Sequence, residues 1–82
     1  VDLTASGSPA DALEEEQRRA AVQAALLDLT EEQREVVLLR HFTELSYEEI
    51  AASTGVPVKT VKSRLYSARQ RLAVLLAEIN LV

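Results

Sequence analysis

Cysteine is absent from this 82-residue chain, so neither a disulfide framework nor a thiolate metal site can be built from it. A single histidine cannot form a zinc centre alone. Aromatic residues are scarce as well: two tyrosines and one phenylalanine make no set of stacking platforms for single-stranded nucleic acid. Only two glycines and two prolines interrupt the chain, which leaves helix as the favoured backbone state. No run approaches the roughly 18 apolar residues that a membrane span requires, and no charged-then-apolar leader opens the chain. A soluble, cytoplasmic protein without membrane insertion is expected. Glycine-rich phosphate loops are missing, and no Ser or Thr stands in a local arrangement with His and an acid. The adjacent Glu48 and Glu49 point to different sides of a helix and do not share a site. The expectation is a protein that is not an enzyme and uses no cofactor.

What is present is 48% hydrophobic and 27% charged residues, enough for one small all-α domain. A chain of this size buries only about 60% of its unfolded surface, so its core is modest and made of interlocking Leu, Val and Ala. The Thr/Ser/Gly/Pro stretch over residues 1–8 reads as a linker, and residues 9–82 as a compact four-helix domain. The chain starts at Val1 in this linker-like stretch, which suggests a piece of something longer, with a processed start as the alternative.

Ser8-Pro9-Ala10-Asp11 has the form of a helix start, with Ser8 as cap and Asp11 favoured by the dipole, and predicts a first helix over 9–28. Leu13, Ala20, Ala24 and Leu27 fall on one face of it, broadened by Val22, Leu26 and Leu29. Thr30-Glu31-Glu32-Gln33 is a capping box that opens a second helix carrying Val36, Val37, Leu38, Leu39 and Phe42. Apolar around much of its circumference, that helix is expected to sit centrally, touching both the first helix and the C-terminal unit. His41 lies at its C-terminal end, where exposure or a dipole interaction explains it, and no functional role is assigned to it.

The C-terminal unit is Ser46 to Leu72. Ser46-Tyr47-Glu48-Glu49 is a second capping box, flanked by Leu45 and Ile50 at the spacing of a hydrophobic staple. Gly55 suits the positive φ of a helix end, and Pro57 the start of the next helix. Two helices meeting across about three residues are a C-terminal helix-turn-helix, in which the first braces the second against a DNA groove. On a wheel at 100° per residue, Val61, Leu65, Ala68, Leu72, Leu76 and Ile79 form one stripe facing the core. Opposite lie Lys59, Ser63, Tyr66 and Gln70, all able to hydrogen-bond a base edge. Lys62 and Arg69 occupy one flank, Arg64 and Arg71 the other. Such a face suits base contact at the centre and phosphate contact at the edges, although a solvated cationic face of an ordinary bundle helix has the same pattern. The formal charge of −4 is unevenly placed: residues 1–56 carry twelve acids and four bases, residues 57–82 one acid and five bases. An acidic body with a basic last helix orients itself on a polyanion, with weak long-range attraction.

Leu45 to Ala51 (LSYEEIA), Gly55 to Leu65 (GVPVKTVKSRL) and Ala68 to Leu72 (ARQRL) together carry a resemblance. Over residues 29–72 the chain resembles region 4 of bacterial sigma factors, most closely the extracytoplasmic-function (ECF) type. The resemblance implies a helix-turn-helix that reads the minus-35 promoter element in double-stranded DNA for transcription initiation. It implies RNA polymerase core as partner, through a helix of the β-flap, and an anti-sigma factor that covers the domain. It also implies base contacts from Lys62, Ser63 and Tyr66, to which the wheel adds Lys59 and Gln70. With Thr60, Arg64, Ser67, Arg69 and Arg71, these form the expected DNA-binding set. Two departures from the family pattern stand out. Family members usually carry Gly near Glu44, where a non-Gly residue costs up to about 1 kcal/mol if φ is positive. They also commonly carry Arg at the place of Ser67. Two alternatives stand beside this reading: a helical protein-interaction module, and a response-regulator output domain with similar spacing. The latter usually has Asn-His where this chain has Ser63-Arg64.

The Ser67 departure generates a test. A short hydroxyl brings no charge to a position beside the Arg64/Arg71 flank, so the isolated domain should hold duplex weakly and depend on tethering by polymerase. Ser67→Arg should tighten specific and non-specific duplex together and steepen the logarithmic salt slope by about 0.9, read by fluorescence anisotropy across a salt series. Tighter binding with an unchanged slope would instead mean a base contact, and no change in either would mean that the flanks are misplaced.

Overall fold

The computed structural model describes residues 9–79, with side chains from residue 10 to residue 77, as four helices: α1 Pro9–Leu27, α2 Glu31–His41, α3 Tyr47–Thr54 and α4 Val58–Ile79. The all-α, four-helix expectation holds. The linker expected over residues 1–8, the Ser8 cap and the core role of the Ile79 side chain lie outside the described residues.

Both capping boxes form. At α2 the Gln33 amide donates to Thr30 Oγ1 at 3.1 Å while the Thr30 amide donates to Gln33 Oε1 at 3.2 Å. At α3 the Glu49 amide donates to Ser46 Oγ at 3.0 Å and the Ser46 amide to Glu49 Oε1 at 2.7 Å. These reciprocal bonds satisfy amides that the first turn of a helix leaves without partners. α3 closes on Gly55, at φ 79° and ψ 16°, whose amide reaches the Ala51 carbonyl at 2.9 Å. Gly55, Val56 and Pro57 then make the whole connection to α4. Pro57 stands just ahead of α4, where its carbonyl accepts from the Thr60 and Val61 amides at 2.9 and 3.1 Å.

The core is Leu29, Val36, Val37, Ile50, Val61, Leu65 and Ala68, with Leu26, Leu39, Leu45, Tyr47, Ala51, Val56 and Leu72 packed partly buried around it. The α4 stripe of Val61, Leu65 and Ala68 is therefore the inward face, as its spacing predicts. Leu45 and Ile50 both join the core, which places the staple at the entrance to α3. Each of the other three helices packs on α4, and α2 also packs on α3.

The apolar face expected for α1 is corrected. Leu13 and Leu27 are 59% and 74% exposed, and Ala20 and Ala24 are exposed too. α1 instead buries Ala25, with Ala21 and Leu26 half-buried and Leu29 just beyond its end. The reason is axial: α1 meets the bundle only along its C-terminal turns, and a wheel carries no information on where along a helix a partner lies. The exposed N-terminal half is braced by its own ion pairs, Glu15–Arg18 at 2.7 Å and Glu16–Arg19 at 2.6 Å. The Arg18 hydrogen bond and charge hold the Glu15 carboxyl below its ordinary range. α2 touches both α1 and the C-terminal unit, as expected, but unequally, with α4 and α3 as its main partners. The main partner of α1 is α4, and α2 reaches α1 at its end through Arg34, whose guanidinium donates to the carbonyls of Leu26 and Leu29 at 3.3 Å. α1 has no basic residue in its own last turn, so a side chain from α2 satisfies these carbonyls. Phe42, named among the apolar residues that α2 carries, is its C-cap and is 67% exposed.

The turn from α2 to α3 is held by the Thr43 amide on the Leu38 carbonyl at 3.1 Å, the Leu45 amide on the Leu39 carbonyl at 3.0 Å and Arg40 Nη1 on the Leu45 carbonyl at 2.8 Å. Between them Glu44 is forced to φ 61°, the left-handed region in which a Cβ is strained. Glu44→Gly should therefore raise stability by roughly 0.5–1 kcal/mol, moving the thermal midpoint up by a few degrees. Gly55→Ala should lower stability by a similar amount, although nothing lies within 4 Å of a Cβ added there, because its φ is also positive. Circular dichroism melts check both signs. A lower midpoint for Glu44→Gly would show that the turn is not strained.

Candidate nucleic-acid interface

The geometry of the candidate interface starts from the buried side of α4. Ile50 and Val61 are 0% exposed and Leu65 1%, so α3 grips α4 through close-packed side chains that fix the rotation of the long helix. With that rotation fixed, Lys59, Lys62, Ser63, Tyr66, Ser67, Arg69 and Gln70 all face solvent, Tyr66 with 67% of its surface free. Thr60 and Arg64 are half-buried at the margins of this face. The structure thus brings nine of the ten expected residues onto one side of α4 or its edge, with Arg71 at the far flank tied to α1.

The two flanks meet different neighbours. On the first, Lys62 Nζ lies 5.7 Å from the centroid of the Tyr47 ring, and the Arg40 guanidinium approaches the same ring at 4.8 Å. Arg69 Nη2 comes within 3.3 Å of His41 Nε2 at the end of α2. This flank is therefore lined by cations from two helices. Spacing along the sequence gave no sign of Arg40, Tyr47 or His41 here, because Arg69 and His41 are 28 residues apart. The one available signal was an aromatic residue in the first turn of α3 facing a cationic helix.

On the second flank Arg71 pairs with Asp28, its Nε at 3.1 Å and Nη2 at 2.6 Å from the same carboxylate oxygen. Glu49 is occupied by its capping bond to Ser46, and the carboxylate that Arg71 meets is Asp28, just beyond the end of α1. Among the described residues no group of three or more His, Cys, Asp or Glu side chains is placed to hold a metal ion. No helix among them is long and apolar enough to cross a membrane.

A short bracing helix, a three-residue turn closed by a left-handed glycine, and a long helix with one polar, cationic face define a helix-turn-helix domain. Residues 19–72 match the profile of sigma-70, region 4, and the chain belongs to that family. Three curated relatives fit this assignment. The chain is 45% identical over 62 residues to the RNA polymerase sigma-E factor of Streptomyces coelicolor, covering 76% of this chain and 35% of that protein. It is 40% identical over 63 residues to the ECF RNA polymerase sigma factor RpoE of Cereibacter sphaeroides, covering 77% and 35%. It is 48% identical over 59 residues to the ECF RNA polymerase sigma factor SigE of Mycolicibacterium smegmatis, covering 72% and 23%. The chain spans about a third or less of the length of these relatives.

The Arg71–Asp28 pair is half-exposed on both sides, which limits its worth in water. A double-mutant cycle on Asp28→Ala and Arg71→Ala should give a coupling of about 0.2–1 kcal/mol that shrinks with added salt. Asp28→Ala alone should free Arg71 and strengthen duplex binding. Unchanged duplex binding in Asp28→Ala would remove Arg71 from the interface.

Proposed function

We propose that this domain is the promoter-reading region of an ECF-type sigma factor, which lays α4 in the major groove at the minus-35 element and so directs RNA polymerase to promoters. The observation that carries this reading is the solvent-facing row of Lys59, Lys62, Ser63, Tyr66 and Gln70 on a helix whose opposite side is locked by Ile50, Val61, Leu65 and Ala68. Lys62 is suited to donate to guanine N7 or O6, Ser63 to either base type, and Tyr66 to a thymine methyl and a polar edge. Arg64, Arg69 and, once released from Asp28, Arg71 are assigned to phosphates, with Thr60 and Ser67 at the margins of the row. Family membership and the names of the relatives support polymerase core and promoter duplex as partners, and hence action in the cytoplasm. The same membership favours this reading over a response-regulator output domain. No step in it calls for catalysis or a cofactor.

Protein docking is part of the same proposal. Val22, Leu26 and Phe42 form the apolar part of a hollow between α1 and the end of α2, rimmed by Glu15, Arg18, Arg19 and Gln23, and no α4 residue lines it. Such a surface suits the polymerase β-flap helix, and an anti-sigma factor that competes for the domain.

Lys62→Ala and Tyr66→Ala are the direct test. Each should cost about 1–3 kcal/mol on the preferred duplex and relax preference at one base position. Anisotropy titrations on a preferred duplex and its single-base variants read both effects. If the variants bind specific and altered duplexes in the wild-type ratio, the base-contact assignment is wrong.

A further inference from the structure

His41, the only histidine in the chain, sits in an open polar cup with Arg40, Glu44 and Arg69. Its Nε2 lies 3.3 Å from Arg69 Nη2. A guanidinium has donors and no acceptor, so this contact is a hydrogen bond when Nε2 offers its lone pair and the ring hydrogen is on Nδ1. Both side chains are exposed, and Arg69 belongs to the α4 flank that also carries Lys62.

The groups around His41 pull in opposite directions. Arg69 from α4 and Arg40 from α2 disfavour an imidazolium. The Glu44 carboxylate from the turn, and the carbonyl end of α2 where His41 stands, favour one. Arg40 is already committed to the Leu45 carbonyl at 2.8 Å and to the Tyr47 ring at 4.8 Å. An anion entering the cup would therefore meet Arg69 and His41 first, and its negative charge would favour a protonated ring.

We propose that His41 and Arg69 form a proton-linked phosphate site at the edge of the DNA-reading face, so that duplex binding takes up one proton at His41. The proposal rests on the DNA-binding reading above and extends the contact surface from α4 to the end of α2. In the step, the Arg69 N–H turns from Nε2 to a phosphate oxygen. The freed Nε2 lone pair takes a proton from solvent, and the new N–H donates to the same phosphate group. No bond other than N–H is made.

The test measures anisotropy of a short fluorescein-labelled duplex of mixed sequence with the 82-residue chain, at constant ionic strength, from about pH 8 to about pH 6 across the ordinary range of histidine titration. Wild type should tighten about two- to sixfold over this range as pH falls, the part of a half- to one-unit upward shift in a histidine midpoint that the range captures. His41→Gln keeps a hydrogen-bonding side chain without a titrating proton, and its affinity should vary little over the same range. Because the chain has one histidine, its ring NMR signals need no assignment by mutation, and their titration midpoint should rise when duplex is added. Equal pH dependence in wild type and His41→Gln, or a midpoint that stays or falls on adding duplex, overturns the proton-linked site and leaves the DNA reading intact. A wild-type chain that binds no duplex at any pH overturns both.

Discussion

The structure depends on the burial of one stripe of α4. Val61, Leu65 and Ala68 are sealed against solvent, and every other helix leans on the helix that carries them. Ile50 from α3 and Val36 from α2 are equally sealed, and a fully buried side chain of this kind contributes about 1.5–3 kcal/mol. In a small domain with few such residues, loss of one is a large fraction of the whole. Ala68 has a particular part: a methyl group with no exposure means that neighbouring helices come close at that point, so a larger residue would push them apart and turn α4. The rotation of α4 is what decides which side chains face outward, so the same packing that stabilises the fold also sets the polar outer face of that helix.

The body of the protein is acidic, yet much of that acidity serves local ends. Glu31, Glu32, Glu48 and Glu49 occupy the first turns of α2 and α3, where a carboxylate complements the helix dipole. The bases of the body are committed as well. Arg34 satisfies the carbonyls at the end of α1, and Arg40 ties the Glu44 turn to the Tyr47 ring. A count of charges by segment therefore misses the arrangement that matters, in which the end of α2 adds Arg40 and His41 to the Lys62/Arg69 flank while α1 supplies Asp28 to the opposite one. The two edges of α4 are electrostatically unequal, one reinforced with cations and one held by an intramolecular carboxylate.

α1 is attached to this unit at one end. Ala25, Leu29, the Arg34 bonds and the Asp28–Arg71 pair all fall within its last turns or just beyond them, whereas its first half is exposed. The match to sigma-70, region 4 begins at residue 19, close to where α1 first gains a half-buried residue at Ala21. Packing and family likeness thus divide the helix at nearly the same place.

Local chemistry was legible in the sequence because it is decided within four residues. The capping boxes at Thr30 and Ser46, the left-handed Gly55, the Leu45/Ile50 staple and the inward stripe of α4 from Val61 to Leu72 all rest on short-range spacing, and all form; Leu76, expected to continue the stripe, is half-buried outside the core. The strain at Glu44 was conditional on its φ, and the hydrogen bonds of the turn supply that condition. Tertiary structure alone decided the rest. Which part of α1 finds a partner, and that Leu13 and Leu27 find none, depends on where the other helices end. That Arg71 meets Asp28 across 43 residues, and Arg69 meets His41 across 28, depends on how α1 and α2 are laid against α4. Helical periodicity fixes the angle at which a side chain leaves its own axis, but a contact between two helices also needs their relative height and position, and only the packed core sets those.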